Sequence, residues 1–220
     1  MHWSLVVPLK PLALAKSRLA AAAGGALRPH LALAFAQDTV AAALSCPAVR
    51  DVAVVTDDPL AAAELAALGA RIVPDLPAAG LNAALAHGAD TVRAERPGAA
   101  VAALNADLPA LRAAELAQVL ALATQFPRAF LADSAGIGTT FLSAAPGVEL
   151  SPAFGGPSRN RHLRSGAGEI AVDGVDSVRR DVDTPDDLRA ALALGVGART
   201  AARCAALPLA LPGGAHEEGL

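Results

Sequence analysis

The chain has 220 residues and a mass of 21.9 kDa, enough for one domain with a buried core and no need of a disulfide frame or a metal staple. Hydrophobic residues make up 54% of it but aromatics only 3%, and tyrosine is absent, so the apolar content is largely alanine. The net charge of -3 and the lack of any Lys/Arg block provide no basic field for a polynucleotide and argue against a nucleic-acid partner.

The N-terminal MHWSLVVPLK has no basic region followed by a long apolar stretch. No apolar run reaches roughly 18 residues without a charge, Pro or Gly, so the expectation is a cytoplasmic protein with no membrane partner. Cys46 and Cys204 lie far apart without CxxC spacing and read as reduced thiols rather than a disulfide or metal pair.

The first strand is expected at LVVPL (5–9), and the segment leaving it, PLKPLALAKSRL (8–19), gathers Lys10, Lys16, Ser17 and Arg18. It has neither the GxxxxGK[ST] nor the GxGxxG pattern, so it would hold phosphate through side-chain cations instead of a glycine nest; the alternative is an ordinary solvated loop. Helical periodicity follows at 29–46, a strand at VAVVT (52–56), a helix at 58–69 and a strand at RIVPD (71–75). PDLPAAGLNAAL (74–85) then sets Gly80 and Asn82 at the start of a helix over 81–95. There, backbone N–H groups and an amide could meet a nucleoside or simply cap the helix.

A buried strand at 99–107 ends on LNADLPAL (104–111), and Asp107 is either a cleft-facing ligand for a hard cation or a turn residue before the helix at 112–124. A strand at AFLAD (129–133) ends on Asp133. Beyond Gly136 the helical period is lost, with GIGTTFLSA and EIAVDG reading as strands around a Gly/Ser/Arg-rich loop. That loop, AFGGPSRNRHLRSGA (153–167), holds Gly155, Ser158, Arg159, Arg161, His162 and Arg164, a composition suited to an anion, and GTT (138–140), with two hydroxyls after glycine, could complete the pocket.

In DVDTPDDL (181–188), Thr184, Pro185 and Asp187 have the spacing of an N-cap, a first helical residue and a capping-box acid. Asp181 and Asp183 precede the cap, two apart on extended chain, so they point the same way with no capping duty. Continuous apolar strands alternating with helices imply an α/β fold: a mostly parallel sheet with helices on both faces, a small antiparallel addition, and ligands outside the carboxyl ends of the strands. One domain is expected over 1–207, and 208–220 reads as a loose tail.

Taken together, VVPLKPLALAKSRL, GLNAAL, NADLPAL, ADSAGIGTT, PAFGGPSRNRH and DVDTPDDL resemble the guanylyltransferases of coenzyme F420 biosynthesis, which act on 2-phospho-L-lactate or phosphoenolpyruvate. The likeness runs in order from residue 3 to about residue 200. It implies a nucleotidyltransferase-like, Rossmann-like fold and transfer of GMP from GTP to phosphoenolpyruvate, or alternatively to 2-phospho-L-lactate, with release of pyrophosphate. It also implies Lys10, Lys16, Ser17 and Arg18 on the triphosphate, Gly80 and Asn82 beside the nucleoside, Thr140, Gly155 and Ser158 on the acceptor, and Asp107, Asp181 and Asp183 on Mg2+. The product would pass to the F420 side-chain transferase, and a homodimer is compatible with it.

Asn105 stands where related enzymes with a DxD arrangement carry an aspartate, which leaves Asp107 the sole acid of its loop. The rival readings are a cytidylyl- or uridylyltransferase on a sugar phosphate, a glycosyltransferase of similar fold, and a nucleotide-binding domain without catalysis.

Overall fold

The computed structural model describes residues 1–15, 28–76 and 78–205. Seven strands form one sheet: β1 (Trp3–Pro8), β2 (Val49–Val55), β3 (Arg71–Val73), β4 (Ala100–Leu104), β5 (Arg128–Ala132), β6 (Thr139–Ala144) and β7 (Gly168–Glu169), in the order β3-β2-β1-β4-β6-β5-β7. Every pairing is parallel except those of β6 with β4 and β5, so β6 alone runs against the rest. The mixed sheet is the expected α/β architecture, with the antiparallel addition reduced to one strand.

The helices are α1 (Arg28–Leu44), α2 (Pro59–Ala67), α3 (Leu81–Glu95), α4 (Ala113–Ala123), α5 (Ser158–Arg164), α6 (Asp176–Arg179), α7 (Pro185–Leu194) and α8 (Ala198–Ala205). Strand alternation sorts the core into two layers. Trp3, Leu5 and Val7 of β1 face α1, α2 and α4, whereas Val6 with Ala53 and Val55 of β2 faces α3. Helix α3 lies close on the sheet because of Gly88, where a Cβ would sit 2.5 Å from Val6 Cγ1 and 2.7 Å from Val55 Cγ2. Gly88→Ala would force helix and sheet apart in a region packed to crystal-like density. A third cluster joins Leu31 and Phe35 of α1 to Val182 of the extended segment before α7, Leu188 and Ala191 of α7, and Cys204 of α8.

Two local expectations are corrected. EIAVDG contributes only Glu169 to a strand, β7 being the short edge pair Gly168–Glu169, because the Asp and Gly that follow turn the chain. The Gly/Ser/Arg-rich segment is not a continuous loop. Gly155 and Gly156 carry positive φ, but Ser158 to Arg164 contains no glycine and closes into α5, which stops at Ser165 and Gly166. Cys46 and Cys204 are both free thiols, and the fold buries both of them. No helix among the described residues is long and apolar enough to cross a membrane. The tail from residue 208 lies outside the described residues.

Candidate active site

The carboxyl ends of β1, β4 and β5 open onto one cavity of about 600 Å³. Lys10, Asp107, Asp133, Gly155, Ser158, Asp181 and Asp183 line it together with Asn105, Thr139, Phe154, Gly156 and the apolar Leu9, Leu14 and Leu81. Residues separated by most of the chain length thus meet where a parallel sheet is expected to bind ligands.

Lys10 is carried by the chain leaving β1. Leu9 N–H donates to Val55 O (2.9 Å), and Leu12 N–H donates to Asp58 Oδ2 (2.9 Å), just before a single 3-10 turn at Leu12–Leu14. The other oxygen of Asp58 accepts from Leu60 and Ala61 N–H and caps α2. One carboxylate therefore ties the β1 exit to a helix start. Lys16, Ser17 and Arg18, expected to join Lys10, lie outside the described residues.

The Asp107 loop is pinned from three sides. Asn105 N–H donates to Thr140 O (3.0 Å), and the fully buried Thr39 hydroxyl of α1 donates to Phe35 O (2.8 Å) and lies 3.2 Å from Ala106 O. The same hydroxyl accepts from Leu108 N–H at 3.0 Å. On the third side, Val182 N–H donates to Asp107 O (3.0 Å), which lays the 181–183 segment beside the loop. Val182 is fully buried in the third cluster, so its neighbours Asp181 and Asp183 face the opposite way, into the cavity, as the extended spacing implied. Burying a valine stabilises by about 1.5–3 kcal/mol, which anchors the acidic arm.

The arm runs directly into α7. Thr184 and Asp187 form the expected capping box, and Asp187 Oδ2 accepts from Thr184 N–H (2.8 Å) and Asp183 N–H (3.2 Å). Asp133 is the fourth acid on the cavity. Its carboxylate accepts from Ile137 N–H (2.9 Å) and Gly138 N–H (2.8 Å) and so closes the β5–β6 turn.

The opposite wall is built differently. Leu131 pairs with Phe141 and Ala132 with Thr139, so Thr140 is the extra residue of a bulge. As a result Thr139, the first of the two GTT hydroxyls and not the one the resemblance implied, lines the cavity. Thr140 is fully buried beside it, its hydroxyl without a hydrogen-bond partner among the described residues.

Thr139 Oγ1 is 3.0 Å from Ser158 Oγ and 3.0 Å from His162 Nδ1. His162 is fully buried between the rings of Phe130 and Phe154, and its Nε2 accepts from Ala153 N–H at 3.0 Å. Burial, reinforced by the Arg128 and Arg161 charges, pushes this imidazole down to about 4, so it is neutral at pH 7. The neighbouring cations do not line the cavity. Arg159 holds Glu169 through two bonds (2.8 and 3.0 Å), and Arg161 Nε donates to Ala153 O. The histidine and arginines of this segment read as an anion site in sequence; in the fold Arg159, Arg161 and His162 brace the backbone around it.

Gly80 and Asn82 are placed at the start of α3, where Leu81 rather than either of them lines the cavity. Asn82 does not cap the helix. Its amide accepts from Phe154 N–H (2.8 Å) and donates to Phe154 O (3.2 Å), clamping the glycine segment to α3.

Among the described residues no three acids, cysteines or histidines stand close enough to form a ready-made metal cage. Asp107, Asp181 and Asp183 nevertheless offer oxygen donors on one cavity. This fits a hard cation held by one or two carboxylates and completed by substrate phosphate, as Mg2+ commonly is.

A sheet of this order with a polar cavity at its carboxyl ends is a nucleotidyltransferase fold, and residues 26–166 match the family model of the MobA-like NTP transferase domain. A putative nucleotide-diphospho-sugar transferase from Desulfovibrio desulfuricans superposes with a TM-score of 0.59 at 17% identity, over 88% of this chain and 97% of that one. Two curated relatives carry the name phosphoenolpyruvate guanylyltransferase. The one from Streptomyces coelicolor is 71% identical over 210 residues, 96% of this chain and 99% of the relative. The one from Streptomyces avermitilis is 71% identical over 213 residues, 97% and 98%. The chain belongs to the phosphoenolpyruvate guanylyltransferase family and is a nucleotidyltransferase enzyme.

Proposed function

We propose that the protein transfers GMP from GTP to phosphoenolpyruvate, giving enolpyruvoyl-2-diphospho-5'-guanosine and pyrophosphate, as a cytoplasmic step of coenzyme F420 biosynthesis whose product passes to the side-chain transferase. The observation that carries this reading is the single cavity onto which Lys10, the carboxylates and the Thr139–Ser158–Gly155 wall all open, in a chain whose relatives bear that name.

A phosphate oxygen of the acceptor attacks the α-phosphorus of GTP. The new P–O bond forms as the bond to the β-phosphate oxygen breaks, and pyrophosphate leaves with that electron pair. No general base is required, because the attacking phosphate is already ionised at neutral pH. What two anions need is neutralisation and alignment. In this reading Lys10, with Lys16, Ser17 and Arg18, holds the triphosphate, and the start of α3 at Gly80 and Asn82, which presents Leu81 to the cavity, borders the nucleoside. Thr139, Gly155 and Ser158 stand at the acceptor, with Thr140 buried behind Thr139. Asp107, Asp181 and Asp183 would hold Mg2+, which when bound would supply neutralisation of phosphate charge.

The test incubates the protein with Mg2+, each of the four NTPs, and phosphoenolpyruvate, 2-phospho-L-lactate or a sugar phosphate, and measures pyrophosphate release. GTP with phosphoenolpyruvate is expected to react fastest. Preference for 2-phospho-L-lactate would move the acceptor. Reaction only of CTP or UTP with a sugar phosphate would overturn the reading.

A further inference from the structure

His162 makes two hydrogen bonds that leave its proton no choice of place. The Ala153 backbone N–H can only donate, so Nε2 must present a lone pair, and the single proton of the neutral ring then sits on Nδ1. From Nδ1 it is donated to Thr139 Oγ1 at 3.0 Å. Thr139 and Ser158 are themselves 3.0 Å apart, 5% and 1% exposed, and both line the cavity.

The two hydroxyls carry two hydrogens and share one bond. Because the imidazole donates to Thr139 and accepts nothing from it, one hydroxyl hydrogen is left over whichever way the shared bond runs. No acceptor for it exists among the described residues, so the cavity is where it is directed. With the opposite tautomer, Thr139 would spend its hydrogen on the ring and the surplus would disappear.

We propose that His162 is a positioning residue for the anionic acceptor: acting through Thr139, it makes the Thr139–Ser158 pair a net hydrogen-bond donor toward a phosphate or carboxylate oxygen in the cavity. This rests on the reading of that wall as the acceptor's side of the site. His162 touches no substrate; it fixes the direction of the hydroxyl chain. Burial and the nearby Arg128 and Arg161 keep the ring neutral, so the direction holds across the working pH range.

The test compares wild type, His162→Phe, the Thr139→Val/Ser158→Ala pair and all three substitutions together by steady-state kinetics with GTP and phosphoenolpyruvate. Removing both hydroxyls takes away the surplus hydrogen and, as loss of a hydrogen bond to a charged oxygen, is expected to raise KM for phosphoenolpyruvate about tenfold, with KM for GTP unchanged. His162→Phe keeps the two hydrogens but frees their direction, so it should raise the same KM by a smaller factor and add nothing once both hydroxyls are gone, since the effect must pass through them. Equal loss toward both substrates, or a histidine effect that persists without the hydroxyls, would overturn the proposal. Independently of any variant, 15N-detected NMR of the wild type, with the ring assigned by contacts to Phe130 and Phe154, should find the Nδ1–H neutral tautomer at pH 7. An Nε2–H or a doubly protonated ring would also sink it. A wild-type protein inactive with GTP and every acceptor would strike instead at the proposed function.

Discussion

The two walls of the cavity are held in place by different means. On the acidic wall, Asp107, Asp181 and Asp183 are set mainly through bonds to backbone groups: Val182 N–H to Asp107 O, the Thr39 hydroxyl under the Asp107 loop, a buried valine between two outward acids, and a capping box directly behind them. On the facing wall, Thr139, Ser158 and Gly155 are set by side chains: His162 beneath the hydroxyls and the Asn82 amide clamped on Phe154. A backbone-held wall tolerates replacement of its functional groups, whereas a side-chain-held wall couples function to stability and to pH.

The sharpest way to test that contrast is Asp183→Asn. With its scaffold untouched, turnover should fall by about a hundredfold or more while the melting temperature stays within a degree or two, of the order expected when one charged group is withdrawn from a phosphoryl-transfer site. A fully active variant would remove Asp183 from the site, and a large drop in melting temperature would show that the acid also bears on the fold.

On the other wall the contrast predicts acid sensitivity. The His162 pKa is lowered from an ordinary 6.5 to about 4 in the folded protein, so the unfolded chain binds its proton first. The stability that follows from the neutral ring is full above pH 6.5, declines as pH falls toward 4 and has been lost below that, about 3 kcal/mol over the interval. Urea midpoints measured from pH 7 to pH 4 should fall accordingly, and His162→Phe should flatten that component. An unchanged pH dependence in the variant would assign the loss to other groups.

The smallest effect is expected behind the acidic wall. Asp187→Asn keeps an acceptor for the capping bonds but removes charge from the positive end of α7, and should cost about 1 kcal/mol or less in denaturant melts with little change in turnover. A large loss of activity would mean that the cap sets the position of Asp183 more tightly than its backbone neighbours do.

The same contrast explains what could be read from the sequence. Apolar runs alternating with helical periods define the α/β layers, and α3 falls on its expected residues, 81–95. The acids at 181 and 183 were legible because strand alternation and capping chemistry act within a few residues. The facing wall depends on long-range events. A bulge opposite Ala132 exchanges Thr140 for Thr139 at the surface of the cavity, and no local pattern in GTT announces it. Asn82 and His162 satisfy backbone groups near residue 154, partners that only the folded chain brings within reach. Thr39 reads as an ordinary position inside α1, yet its hydroxyl secures the Asp107 loop.

The bond from Val182 to Asp107 joins the last element of the site to its middle. During synthesis, the sheet residues from β1 to β7 and the Lys10 segment emerge before the acidic arm does, so no nascent chain ending short of Asp183 contains the complete cavity wall. Completion of the cavity wall is in this sense a late event in the birth of the molecule, and a chain interrupted before Asp183 would be left without its acidic arm.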